Sequence, residues 1–453
     1  MSIQRQSVFL AALLSLAPGT IYAQQPDAPV AIVNVNVIPM DRERVLSDQT
    51  VIIRAGRIAE MGPASGMAIP VGATRINAQG KYLIPGLAEM HGHIPGGNAS
   101  EEMVNRVLQL YALNGITTVR GMLGHPRHLA LRDQAARNEI ISPTIYTSGP
   151  SFNGNTVSSP AVGRQMVLDQ KTAGYDLLKI HPGVSREAFD TVAATAHRAG
   201  IPFAGHVPLA VGVERALETG YASIEHLDGY VEYLVRPGSP VSAQESQFFG
   251  INLVENLDES KIPGIVARTR SARVWNVPTQ ILMDNLAGDE TADELAARPE
   301  MRYWFPNQIE QWKTTKREFE QETAMRRHQW LAVRRDLIKR LYDAGAGILL
   351  GSDAPQMWNV PGFSTHRELE ALVRAGLSPY QALTAGTTSV AEYFGTSDHT
   401  GTVAAGKQAD LILLDANPLE SITNTQRIAG VVLRGRWIPR AEIDTRLASF
   451  EAR

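Results

Sequence analysis

A chain of 453 residues, 44% hydrophobic and 20% charged, has ordinary globular composition and is long enough for a large core plus a smaller second unit. A formal net charge of −3 gives no reason to expect nucleic acid or an anionic membrane surface as a partner. The absence of cysteine excludes disulfides, thiolate metal ligands and a cysteine nucleophile, so any metal must be held by histidine, carboxylate or a less usual group.

The first 23 residues stand apart. "MSIQRQ" carries positive charge, "SVFLAALLSLAPG" is a short apolar run, and "TIYA" ends in a small residue. This pattern reads as a secretory signal peptide (residues 1–23) cleaved after Ala23, which sends the mature chain to the periplasm or the cell exterior. The run is short for a membrane anchor, the alternative reading, and no later stretch is apolar enough to span a bilayer, so no membrane span is expected after cleavage.

Residues 29–84 alternate apolar and polar side chains in "VAIVNVNVIP", "QTVIIRAGRIAEMGP" and "ATRINAQGKYLIPG", the period of half-buried strands. Residues 396–445 do the same in "GTVAAGKQADLILLDANP" and "IAGVVLRGRWIP". The expectation is one small β-sandwich domain built from both ends of the chain. Between them, residues 85–395 carry eight short apolar runs: "LIPGLAEMHGH", "GITTVRGM", "TIYTSGP", "YDLLKIHP", "PFAGHVP", "ASIEHLDG", "VWNVPTQIL" and "GILLGSDAP". Helical stretches such as "REAFDTVAATAHRAG" lie between several of them. This α/β alternation favours a (β/α)8 TIM-like barrel over an open doubly wound sheet, because no glycine-rich dinucleotide or phosphate loop follows a strand. Residues of about 231–340 break the rhythm with long polar, helix-prone stretches. They read as a solvated helical insertion packed on the barrel, with Trp304, Trp312 and Trp330 as apolar anchors; a lid or a subunit contact is the alternative.

Barrel enzymes assemble their sites where strands meet the following loops. Those positions hold His91 and His93, Lys179, His206, His226 and Asp353. His91 and His93 are two apart on an extended run, so they share a face, with the small Gly92 between them. A lone strand-end histidine is weak evidence; polar groups at the ends of five separate runs are a metal-site pattern, since imidazole and carboxylate suit divalent first-row metals.

These residues resemble the amidohydrolase superfamily. "MHGH" is similar to its HxH motif on the first strand, Lys179 to its strand-four lysine, His206 and His226 to its strand-five and strand-six histidines, and Asp353, in "LLGSDAP", to its strand-eight aspartate. The resemblance covers nearly the whole mature chain and is closest to the imidazolonepropionase-like branch, which includes prolidase-like peptidases. It implies two divalent metal ions, with zinc expected: His91, His93 and Asp353 on one, His206 and His226 on the other, and Lys179 bridging them as a carbamate. It further implies a metal-bridging hydroxide as nucleophile, with Asp353 as the catalytic proton carrier. The alternative for Lys179 is an ion-paired lysine in a mononuclear enzyme.

For substrate contacts the candidates are Tyr230, just past His226, with His125 after the second barrel strand and His181 beside Lys179. Prolidase-like relatives place a tyrosine near Tyr230's position to hold a substrate carboxylate. The implied activity is hydrolysis of amide bonds in small peptides or N-acyl amino acids. Cyclic amides, lactones or esters, and phosphotriesters remain alternatives on the same metal centre, as does a non-catalytic metal-binding periplasmic protein. The expected partner is a small molecule or short peptide, without nucleic acid; assembly into a homo-oligomer is compatible with the sequence.

Overall fold

The computed structural model of the chain describes residues 28–451, so the leader read at residues 1–23 lies outside the described residues. In chain order the strands are Val30–Val37 (β1), Leu46–Arg54 (β2), Arg57–Pro63 (β3), Thr74–Asn77 (β4), Tyr82–Pro85 (β5), Leu87–Gly92 (β6), Ile116–Gly121 (β7), Thr144–Thr147 (β8), Leu178–Ile180 (β9), Phe203–Gly205 (β10), Ser223–Glu225 (β11), Trp275–Val277 (β12), Leu411–Leu414 (β13), Ile428–Leu433 (β14) and Arg436–Pro439 (β15).

The two ends of the chain meet in one eight-stranded sheet of order β15-β14-β13-β5-β1-β2-β3, with β4 also paired to β1. Alternation explains its core: Val30, Ile32, Val35, Val51, Ile53, Leu83, Leu411, Leu413 and Val432 point to one buried cluster. Two of its hairpins turn on a residue pair with positive φ, Ala55–Gly56 between β2 and β3 and Arg434–Gly435 between β14 and β15.

From β6 to β12 the strands are parallel. They form a three-stranded sheet, β6-β7-β8, and a four-stranded sheet, β12-β11-β10-β9. Backbone hydrogen bonds link the two, from Asp176 N to Thr147 O (3.0 Å) and from Phe152 N to Lys179 O (2.8 Å). The eighth apolar run, residues 347–355, makes no regular strand. Its backbone nevertheless bonds on one side to β12, through Leu349 N and Asn276 O (2.9 Å), and on the other to β6, through Met90 N and Leu350 O (2.8 Å) and Asp353 N and His91 O (2.9 Å).

Helices fill the connections where sequence signals begin and end them. Ser159 caps Pro160–Ala173, and Ser185 caps Arg186–Ala199; the two end at Gly174 (φ 85°) and Gly200 (φ 63°). Their apolar faces join the large cluster that surrounds the parallel strands.

Residues 231–340 are not one excursion. Helix Ile262–Ala272 and β12 continue the regular alternation inside that range. The irregular parts are residues 235–261, made of short 3-10 turns, and the helices Gln280–Ala287, Ala292–Ala296, Pro306–Phe319 and Ala324–Asp343 that follow β12. Trp304, Trp312 and Trp330 are all buried, as expected of anchors. Among the described residues, no helix is long and apolar enough to cross a membrane.

Candidate metal centre

Alternation along β6 carries Glu89, His91 and His93 on one face. Gly92 is required between the histidines, because a Cβ there would stand 2.8 Å from Val119 Cγ2 on the neighbouring strand. The two imidazoles meet Asp353 from the eighth run: His93 Nε2 lies 2.6 Å and His91 Nε2 3.5 Å from Asp353 Oδ1. One ligand atom from each of these three residues falls within 4.8 Å of the others. Lys179 Nζ stands 3.4 Å from His91 Nε2. The His226 ring is centred 4.5 Å from that of His91 and 4.7 Å from that of His206. His226 Nδ1 also approaches Asp353 Oδ2, at 3.8 Å. The structure therefore brings together all six side chains singled out at the strand ends.

Local backbone makes the convergence. Asp353 (φ 65°) and His226 (φ 61°) both lie in the left-handed region, where residues with a Cβ are uncommon. At β11 the turn lets two consecutive residues, Glu225 and His226, face the cluster. Such departures occur where surrounding contacts over-determine the backbone.

Those contacts are polar and buried. His91 Nδ1 donates to Glu225 (2.7 Å), and Glu225 is itself held by Arg120 (2.8 Å) and Ser223 (2.5 Å). Arg120, fully buried, also donates to the Met90 carbonyl and the Tyr393 hydroxyl. His206 Nδ1 donates to Asp228 (3.0 Å). The Thr279 hydroxyl gives its proton to the Pro278 carbonyl (2.8 Å) and so accepts from His226 Nδ1 (2.8 Å). In three imidazoles, then, Nδ1–H is occupied by an outer acceptor, which leaves the Nε2 lone pair for a metal. This donor set fits divalent metal ions.

Glu89 staples the site from beneath. It accepts from His91 N, from Ser352 N and Oγ, and from Thr365 Oγ1, and so ties β6 to the residue before Asp353. Arg334, from the long helix Ala324–Asp343, donates to the His226 carbonyl (2.8 Å) and the Pro278 carbonyl (3.0 Å) while fully buried. The helical region read as a solvated excursion is thus built into the support of the site.

Burial, reinforced by the neighbouring Lys179 charge, holds His91 and His206 well below the usual imidazole range; burial does the same to His226, helped by His206 and Lys179. These imidazoles stay neutral, the form that binds metal. Burial pulls Lys179 down to about 8 against the attraction of Glu225 and Asp353. Among the described residues, Lys179 makes no ion pair within 4.0 Å, and its polar neighbour is an imidazole nitrogen.

The three substrate candidates fare differently. Tyr230 is a correction: it is fully buried, and its hydroxyl is spent on Thr269 Oγ1 and Asn276 Oδ1, both at 2.9 Å. It packs between helix Ile262–Ala272 and β12, so it cannot hold a substrate carboxylate. The reason is the turn at His226 and Leu227, both with positive φ, which sends the chain behind the strands. His125 is half-buried and engages Arg127 N (3.2 Å) and the His128 ring, with no bond to the cluster. His181 does reach it, stacked on His206 at 5.0 Å, with its Nδ1 buried and without a partner.

Glu225, Arg120, Glu89, Asp228 and Thr279 were missed from sequence. The available signal was a charge inside an apolar run, as in "SIEH", "TTVRG" and "LAEMH".

A model of the family described as "Amidohydrolase family" matches residues 82–438. The chain is 23% identical over 389 residues to adenine deaminase 3 of Rhizobium meliloti (strain 1021), covering 82% of this chain and 53% of that protein. It is 40% identical over 76 residues to imidazolonepropionase of Mycolicibacterium smegmatis, covering 16% and 19%. The chain thus spans about half the length of the first of these curated relatives and less of the other. Among solved structures it resembles a putative prolidase from Bifidobacterium longum, with a TM-score of 0.66 at 25% identity over 94% of this chain and 100% of that one.

Proposed function

Because the chain belongs to the amidohydrolase family, we propose that it cleaves amide bonds of small peptides or N-acyl amino acids at two divalent metals gathered by the strand-end cluster. Membership makes it a metal-dependent hydrolase of carbon–nitrogen bonds. The observation that carries the finer reading is the meeting of His91, His93, Lys179, His206, His226 and Asp353 from five separate segments.

In this reading His91, His93 and Asp353 would hold one ion and His206 and His226 the other, with zinc expected, and Lys179 would serve as a carbamate ligand. The occupied Nδ1 atoms support the imidazole assignments. Burial without a carboxylate partner supports the lysine assignment, since only an uncharged amine attacks carbon dioxide. Loss of one proton frees the amine, and the new N–C bond with loss of a second proton then leaves an anion where the ammonium stood. When bound, the ions supply a polarised carbonyl and a water acidic enough to attack it near neutral pH. Asp353 would take up the proton of the attacking water and return it to the leaving nitrogen.

The scaffold in this reading is a closed (β/α)8 barrel, supported by the backbone bonds from residues 347–354 to both β12 and β6. The terminal sheet folds over its apolar face as a small sandwich, supported by the buried cluster along its strands. The leader pattern supports a periplasmic or secreted location, which N-terminal sequencing of exported protein checks.

With Tyr230 withdrawn, the peptide preference rests on the likeness to a putative prolidase. A second reading, hydrolytic deamination of a purine-like ring, draws on the likeness to an adenine deaminase. A hydrolysis screen of the zinc-loaded protein on dipeptides, N-acyl amino acids, lactones and adenine tests both. Turnover of dipeptides or N-acyl amino acids is expected; turnover of adenine or lactones alone would overturn the amide-bond reading.

A further inference from the structure

The most strained stretch near the cluster lies in the irregular segment after β11. Phe248 (φ 31°), Phe249 (φ 54°) and Gly250 (φ 80°) occupy the left-handed region in succession, and two of them are large aromatic residues. Glycine at the third position is required: a Cβ there would stand 2.5 Å from Val231 Cγ1.

The strain is held from outside. Trp330 Nε1, on the long helix Ala324–Asp343, donates to the Phe249 carbonyl (3.0 Å). The Phe248 ring packs edge-on against Phe319 at 4.5 Å. Asn252 accepts from Gln247 N (2.8 Å) and donates to Glu245 O (3.0 Å), closing the loop on itself.

The consequence is the placement of one ring. Phe249 lies nearly parallel to His206, with centroids 6.0 Å apart and an angle of 18°, and 5.2 Å from His226. It is only half-buried, unlike the anchoring Trp330, which is fully buried. Phe249 also packs against the apolar cluster that contains Leu286 and Trp330, so part of its ring is anchored while part stays open. A half-open ring beside two metal-facing imidazoles is an apolar surface available to a substrate.

We infer that Phe249 is a specificity-determining residue: it walls the His206–His226 side of the site and favours substrates that carry an aromatic or bulky apolar group there. Phe319 on helix Pro306–Phe319 and Trp330 on helix Ala324–Asp343 hold the segment that aims that ring. The inference rests on the hydrolase reading of the same site, so its test needs a measurement that does not require turnover.

Calorimetry on the zinc-loaded protein, with phenylacetate and acetate as probes, supplies it. Wild type is expected to bind phenylacetate at least about tenfold more tightly than acetate. In Phe249→Ala that ratio should fall to within about threefold, with acetate affinity and metal content unchanged. Phe249→Leu should fall between them, and it decides the matter if the alanine variant does not fold. For hydrolysis, kcat/KM on N-phenylacetyl amino acids should drop through KM, and by a larger factor than on N-acetyl substrates. A wild-type ratio near one, or a ratio that survives the substitutions, would overturn the role of Phe249. Absence of hydrolysis with the calorimetric ratio behaving as expected would instead overturn the hydrolase reading and leave the binding wall standing.

Discussion

The two corners of the histidine cluster are built differently. His91 on β6, His93 just past its end and Asp353 on the run bonded directly to it are clamped by Glu89 from below and by the fully buried Glu225–Arg120 pair from the side. His206 and His226 sit at the ends of β10 and β11, where Asp228 and Thr279 orient them, and a segment outside the regular alternation covers them with Phe249. The first corner is made of core and has little freedom; the second has one wall supplied by a loop. In the proposed reading, proton handling and tight geometry would belong to the first and discrimination among substrates to the second, because loops change shape at less cost to the fold than strands do.

The largest expected effect falls on the rigid corner. Asp353→Asn should lower kcat by roughly 10²–10⁴-fold with the fold and bound metal retained, because an amide cannot carry the proton. Steady-state kinetics alongside elemental analysis check this; comparable turnover in the variant would move the proton-carrying role to another group.

Lys179 lies between the corners, and its lowered pKa sets a sign. In metal-free protein prepared without bicarbonate, the folded state loses the Lys179 proton near pH 8, while the unfolded chain keeps it to about 10.5. Below both values, the folded state bears the full cost of a buried cation. Stability should therefore rise with pH between about 8 and 10.5, by up to about 3 kcal/mol. Chemical denaturation across that range measures it, and Lys179→Met should flatten the rise.

Glu225→Gln and Asp228→Asn compare the corners directly. Each removes the carboxylate that accepts from a metal-facing imidazole, so each should weaken zinc binding by roughly 10–100-fold in a chelator competition. Only Glu225→Gln should also lower the melting temperature substantially, because it takes the charge partner from buried Arg120. Equal thermal losses in both variants would mean the corners are equally embedded.

The smallest effect is expected at Tyr230. Tyr230→Phe should cost about 1–2 kcal/mol of stability by leaving buried Asn276 Oδ1 without a donor and removing one of the two bonds of Thr269 Oγ1. It should change kcat/KM equally on a free-acid substrate and on its methyl ester. A loss confined to the free acid would restore the carboxylate-binding role that the structure withdraws.

What the sequence made legible follows the same division. The strand-end side chains that gather in the cluster were readable because the apolar runs that carry them are short and interrupted at a fixed place by histidine, lysine or aspartate. The strands of the terminal sheet were readable from alternation, and their pairing across the whole length of the chain was expected from two β-rich ends. The side of Tyr230 was not readable. Spacing from His226 placed it near the site, but two positive-φ residues turned it behind the strands. Glu225 and Arg120 were on view as charges in apolar strands, yet their pairing depends on which strands become neighbours. Phe249 had no signal: its position is decided by Trp330, some eighty residues away in sequence.

The central claim is a pair of metals held by one cluster, and metal stoichiometry tests it most directly. Protein prepared with zinc and bicarbonate should bind two equivalents per chain by elemental analysis, and Lys179→Ala should bind fewer. A reproducible single equivalent in wild type, unchanged in Lys179→Ala, would contradict the account.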